Sequence, residues 1–260
     1  MNRASVIRLQ VAIARAGIAS RRKAAKIIEA GRVRVNGKVI SEKGARVDPE
    51  RDRITFGGRS LKFEKKKYYY ALNKPPGVIS TVEDERGRKK VSDYVGHVRN
   101  GVVKCGKGHI GASEGPRLYP VGRLDKDTTG LIILTNDGDL TYRLTHPRFR
   151  VERLYEVHAI GRVEKEDVSR LKKGVMIEGG LARAEKIIFL KKSAAFTLLL
   201  VSLREGKKRE VRRMFEAVGH SVAALKRIAY GTLKLGRLEA GKARRLTKDE
   251  IKKLKNCVKL

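Results

Sequence analysis

The chain has 260 residues, 41% of them hydrophobic, enough for one large domain or a medium domain plus a small one. Against 28 Asp and Glu stand 61 Lys and Arg, a formal net charge of +33, which favours polyanionic partners because each neutralised phosphate releases counterions. No run approaches the roughly 18 apolar residues of a membrane span, no apolar signal core opens the chain, and Cys105 and Cys257 make no disulfide framework.

A cytoplasmic location and no membrane partner are therefore expected. With 5% aromatic residues and no Trp, nucleic-acid binding through rows of stacked aromatics is not expected.

In chain order, Val6, Leu9, Ile13 and Ala16 fall at helical spacing and Gly17 stops the helix. Ser20 caps a second helix with an inward face of Ala24, Ile27 and Ile28, closed by Gly31. Val33–Val35 and Lys38–Ile40 then flank Asn36-Gly37, a strong two-residue hairpin turn. Arg21, Arg22 and Lys23 fill the first turn of the second helix, where the macrodipole disfavours cations unless an anion docks there. Residues 1–67 carry 19 Lys and Arg against 6 Asp and Glu. The spacing predicts a small helix–helix–hairpin domain over 1–63 and a charged linker over 64–67.

A larger domain over 68–260 follows. A strand from Tyr68 ends in the tight turn of Asn73-Lys74-Pro75-Pro76-Gly77. Val95 to Arg117 holds six glycines and little periodicity and reads as a long loop. Cys105 and His109 within it have loose metal-like spacing, but without two further ligands no metal is expected. Asp127, Asp137 and Asp139 read as turn and cap residues rather than a metal cluster, and His146, His158 and His220 share no acid–base motif.

Gly122-Arg123-Leu124-Asp125 leads into the apolar strand Leu131–Leu134. A carboxylate two positions from an arginine is expected to stay ionised, since the cation favours its charged form, and so to serve as a nucleophile. Asn136-Asp137-Gly138 turns into a short helix ending near His146. Arg150–Val163 reads as a strand, Val168, Leu171 and Val175 as one face of a helix, and Phe196–Leu203 as a strand. Arg209–Val218 is an amphipathic helix with Val211, Met214, Phe215 and Val218 on one face, Arg212 on its flank and Arg213 turned away. Strands and helices without strict alternation indicate an α+β fold: a mainly antiparallel sheet with flanking helices.

Residues Ala16–Ala24 and Gly31–Lys38 resemble the RNA-binding module named after ribosomal protein S four. That likeness implies RNA contacts from Arg21, Arg22, Lys23, Arg32, Arg34 and Lys38. Gly122–Asp125 with Asp127, Thr129, Gly130 and Leu131 is similar to the signature of pseudouridine synthases. Asn73–Gly77, Leu154–Val157 and Glu205–Met214 match that family's other motifs in order. The closest group is the RsuA-type branch, which modifies single uridines in bacterial ribosomal RNA. Thr129 stands where many members have serine, and Leu154 where threonine is common.

The resemblance implies an isomerase that needs no cofactor. Asp125 would be the nucleophile, attacking either the sugar or the base of a flipped-out uridine. Arg123 and Arg212 would pair with it, Tyr155 would stack on the uracil, and Leu203 would close an apolar floor. Lys74, Arg209 and Arg213 would contact RNA. The implied partner is structured ribosomal RNA with a uridine in a loop or bulge, or a ribosomal assembly intermediate, met by a monomer. A non-catalytic RNA-binding or assembly protein would need only the first domain and the charge. A glycosidase with paired carboxylates fits neither the absence of Trp nor the positive charge.

Overall fold

A computed structural model describes residues 6–63, 66–95 and 117–260, together with the backbone of 98–99 and 102–103. The chain divides into two compact units, the first ending at Lys67 but also taking in Arg117, and the second running from Tyr68 and resuming at Leu118.

In the first unit, β1 (Ile7–Arg8) leads directly into α1 (Leu9–Arg15), followed by α2 (Arg21–Glu29). The helix starts three residues later than the periodicity suggests: Val6 is exposed, while Leu9 and Ile13 are buried. The Ser20 side chain accepts a hydrogen bond from the Lys23 backbone N–H (3.2 Å), the expected cap. β2 (Val33–Val35) and β3 (Lys38–Ile40) form the hairpin, with φ of 50° at Asn36 and 84° at Gly37, as a turn with two left-handed residues requires. β4 (Arg46–Val47) pairs with β1, while β5 (Ile54–Phe56) and β6 (Arg59–Ser60) extend the hairpin to four strands. These two- and three-residue strands carry too few residues to show a period of two.

The second unit is built on one sheet. Its strands are β7 (Tyr69–Lys74), β10 (Tyr119–Pro120), β11 (Thr129–Thr135), β12 (Arg153–Ile160), β15 (Lys186–Lys192), β16 (Phe196–Leu203), β17 (Val222–Tyr230), β18 (Leu233–Lys234) and β19 (Ala243–Arg245). Two small ribbons lie apart from it, β8 (Val98–Arg99) with β9 (Val102–Val103) and β13 (Val175–Ile177) with β14 (Gly180–Ala182). The first ribbon interrupts the predicted long loop; most other residues of that loop, Cys105 and His109 among them, lie outside the described residues.

The main order is β15-β16-β12-β17-β11-β7-β19. Every pairing in the sheet is antiparallel except β11 with β17, which share only Thr129↔Lys226 and Gly130↔Arg227. This seam divides the sheet in two. The mainly antiparallel α+β architecture expected from the pattern is present.

Side chains alternate across the strands. Leu131 and Ile133 of β11 pack with Leu140 and Leu144 of α3 (Gly138–Thr145) and Leu254 of α6 (Lys248–Asn256). Ile132 and Leu134 face the other way, against Val78, Val91, Leu118 and Leu124. On that same face beyond the seam, Val157, Leu199, Val201 and Leu225 pack under α4 (Lys165–Lys173) and α5 (Glu210–Glu216). Val175 does not continue α4 as expected: Gly174, at φ 117°, turns the chain into β13.

Candidate active site

Asp125 lies in the loop between β10 and β11, half-buried. Three neighbouring groups fix that loop. The Ser80 hydroxyl donates to the Leu124 carbonyl (2.7 Å) and accepts from the Leu124 N–H (3.0 Å). The Gly77 N–H donates to the Lys126 carbonyl (3.0 Å). The Lys74 ammonium donates to the carbonyls of Lys126 (2.9 Å), Thr128 (2.7 Å) and Pro75 (3.1 Å). Backbone atoms are thus held at positions 124, 126 and 128 while the Asp125 side chain is left to the site.

Lys74 is fully buried, so it cannot be the RNA contact expected of it. Burial pushes its pKa down to about 8, opposed by the charges of Asp127 and Asp125, which favour the ammonium. The cation next to the candidate nucleophile is therefore a buried lysine.

The expected guanidinium partners are elsewhere. Arg123 is exposed and makes no ion pair with Asp125. Gly122, at φ 72°, and the Asp125–Thr128 turn (Thr128 N–H to Asp125 carbonyl, 3.1 Å) break the extended alternation that would have set positions 123 and 125 side by side. Arg212 is buried on α5, its Nη1 donating to the Val222 carbonyl (2.5 Å) and its Nε buried without a hydrogen-bond partner. Arg213, expected to turn outward, is held by Glu178. Arg209 takes a left-handed φ of 53° immediately before α5. Leu203 is buried in the core beneath α4 and α5, which is the floor position expected of it in burial but a packing residue in its contacts.

Register places the remaining pieces. One row across the sheet runs Lys74, Gly130, Arg227, Tyr155, Val201. Tyr155 is half-buried and packs against both apolar cores of that face, at the point where they meet. Gly130 is obligatory: a Cβ there would meet the Arg227 carbonyl oxygen at 2.2 Å. Arg227, which nothing in the sequence reading marked, is 2% exposed; its Nε donates to the Leu131 carbonyl (2.7 Å) and its guanidinium lies 4.7 Å from the Tyr230 ring centre. Arg153, also buried, donates to the carbonyls of Arg204 (3.3 Å) and Glu205 (2.8 Å), anchoring the segment that leads into α5. An arginine inside an apolar strand was the available signal for both.

In the first unit, Arg21, Arg22 and Lys23 are exposed on the first turn of α2. Arg32, Arg34 and Lys38 are exposed on the hairpin, with Arg32 set over the Phe56 ring at 5.2 Å. Gly31, Arg32, Arg34, Thr55, Gly57 and Gly58 line a shallow groove.

Residues 68–217 match the family described as RNA pseudouridylate synthase. The chain belongs to it. It is thus an isomerase, carrying in addition an S4 domain over residues 7–54. It is 41% identical over 251 residues, 95% of each chain, to the ribosomal large subunit pseudouridine synthase B of Bacillus subtilis. A protein of the same description from Vibrio cholerae is 35% identical, over 97% of this chain and 75% of the relative. A crystal structure described as a pseudouridylate synthase matches with a TM-score of 0.64 at 29% identity, covering 95% of this chain and 99% of that one.

Proposed function

We propose that this pseudouridine synthase isomerises a specific uridine in ribosomal RNA, with Asp125 as nucleophile on a flipped-out nucleotide. The observation that carries the assignment of Asp125 is its loop: backbone groups fixed on both sides of it by Ser80, Gly77 and Lys74, and a carboxylate that makes no hydrogen bond or ion pair among the described residues. A carboxylate serving only as a turn or cap would spend its oxygens on nearby N–H groups, as Asp137 does with Leu140.

Extruding the uridine costs a few kcal/mol of stacking and pairing, least in a loop or bulge. The C1′–N1 bond then breaks, with the carboxylate bonded transiently to the sugar or to the pyrimidine ring. The base turns, C5 bonds to C1′, the C5 proton leaves and N1 takes up a proton. No oxidant or reductant enters the balance. Tyr155, where the two cores meet, offers a ring face to the turning base, and the exposed cations of the S4 domain grip RNA through its phosphates.

The test is conversion of uridine to pseudouridine in a bacterial ribosomal RNA transcript by the purified protein, read by mass spectrometry. Asp125→Asn is expected to abolish turnover and to retain RNA affinity. Full activity in that variant would overturn the role given to Asp125. Wild-type binding without any nucleoside change would favour the assembly-protein reading instead.

A further inference from the structure

The sheet is sealed on both faces only in part. Over β15, β16, β12 and β17, one face carries α4 and α5, and the residues pointing the opposite way are half-buried or exposed, Ser202 excepted. An antiparallel sheet with one wet face ordinarily places polar side chains there. Here the outward positions include Ile188, Phe196, Leu198, Leu200 and Ile160, with Ile160 54% and Ile188 39% exposed. Among the described residues none of the five packs into any of the four apolar cores. A contiguous apolar patch of this kind marks an interaction surface.

Its charge identifies the partner. Register sets two cross-sheet rows on this face: Lys191, Leu198, His158, Ala224, and Ile188, Leu200, Glu156, Lys226. Lys186 stands at the end of a third, opposite Ser202. The cations Lys186, Lys191 and Lys226 thus frame the apolar residues, with the carboxylates of Glu156 and of Glu152, which accepts from the Ser202 hydroxyl, among them. The rings of His158 and Phe196 lie with planes 11° apart and centres 6.4 Å apart, and the Lys191 ammonium sits 5.6 Å from the Phe196 ring centre. Apolar residues, one pair of near-parallel rings and flanking lysines are what single-stranded nucleic acid requires of an open sheet: a stacking platform beside backbone neutralisation. A second copy of the chain, carrying the same +33 charge and the same lysines, would be repelled.

We propose that the open face of β15, β16, β12 and β17 is a docking surface for a single-stranded RNA segment, separate from the Asp125 loop. The proposal rests on the reading of the protein as an RNA-acting enzyme and adds a second place where its substrate RNA is held. A single ring pair, rather than a row of aromatics, makes the contact chiefly electrostatic and apolar.

The test uses the full chain with two probes, deproteinised bacterial ribosomal RNA and a short oligouridylate, and measures Kd as a function of salt. Lys186→Gln with Lys191→Gln removes two phosphate contacts and should lower the salt slope by about 1.4, at about 0.7 per contact for single strands. Phe196→Ser should weaken oligouridylate binding about tenfold with the slope unchanged. The pair Lys248→Gln with Lys252→Gln, exposed on α6, controls for loss of net charge and should leave the slope where it was. Equal slopes in the two lysine pairs, or wild-type affinity in Phe196→Ser, would overturn the proposal, as would a dimer in sedimentation that Phe196→Ser dissociates. Binding is read apart from turnover. Failure of uridine conversion by the wild-type protein strikes the catalytic reading, whereas failure of these variants strikes only the open face.

Discussion

The two halves of the central sheet solve the burial problem differently. In the half built on β11 and β7, both faces are covered: α3 and α6 lie on one side, and the segment through Val78 and Val91 on the other. In the half built on β16 and β12 a single face is covered, and apolar side chains stand on the other. The doubly covered half carries the Asp125 loop, and its backbone is pinned by a buried ammonium and a hydroxyl. Backbone clamps are thus concentrated in the doubly covered half, and exposed apolar surface in the other.

The comparison breaks most severely at the seam. Gly130→Ala would drive a Cβ into the Arg227 backbone at a position with φ 99°, and a loss above about 4 kcal/mol of unfolding free energy is expected by chemical denaturation. Next comes Lys74→Met, which leaves the Lys126, Thr128 and Pro75 carbonyls without their donor. A loss of about 3 kcal/mol is expected, together with a fall in turnover larger than any change in RNA affinity.

The same lysine gives a pH signature. Its pKa of about 8 in the folded protein lies below the 10.5 of the unfolded chain. Between these values the unfolded state binds more protons, so stability contributed by this group rises with pH. Wild type should therefore gain on Lys74→Met by about 3 kcal/mol from pH 8 to 10.5, and a flat difference between the two would contradict the burial of the ammonium. Adjacent residues of one strand sharpen the contrast further. Leu199→Ala, on the covered face, should cost about 3 kcal/mol, and Leu200→Ala, on the open face, below about 1 kcal/mol.

Local chemistry was readable where it acts locally. Ser20 as a cap, Asn36-Gly37 as a hairpin turn and Gly219 beyond α5 each do what their residue types dictate within a few positions. The strand Leu131–Leu134 was plain from its apolar run. Lys74 was misread because its acceptors lie 52 and 54 residues away, so beside two prolines it looked like a surface cation. Arg123 and Asp125 seemed paired because two-residue spacing aligns side chains in a strand; Gly122 and the turn at Thr128 remove that premise. Arg227 and Arg153 escaped notice because only tertiary carbonyls give a buried guanidinium its role. The apolar outward residues of β16 were visible as Phe196–Leu203, yet a strand rich in leucine on both faces reads the same whether covered twice or once.

The seam itself bears on how the molecule assembles. β11 and β17 meet in two residue pairs, and the Arg227 contact to Leu131 closes a chain segment of 96 residues. Closure entropy grows with the length enclosed, and contacts of high sequence separation slow folding. Hairpins such as β15 with β16 are local and form early, whereas the row that unites Lys74, Gly130, Arg227 and Tyr155 can be completed only when the ends of that long span come together. The alignment of the Asp125 loop with Tyr155 is therefore among the last things the polypeptide acquires, completed only when the two halves of the sheet join.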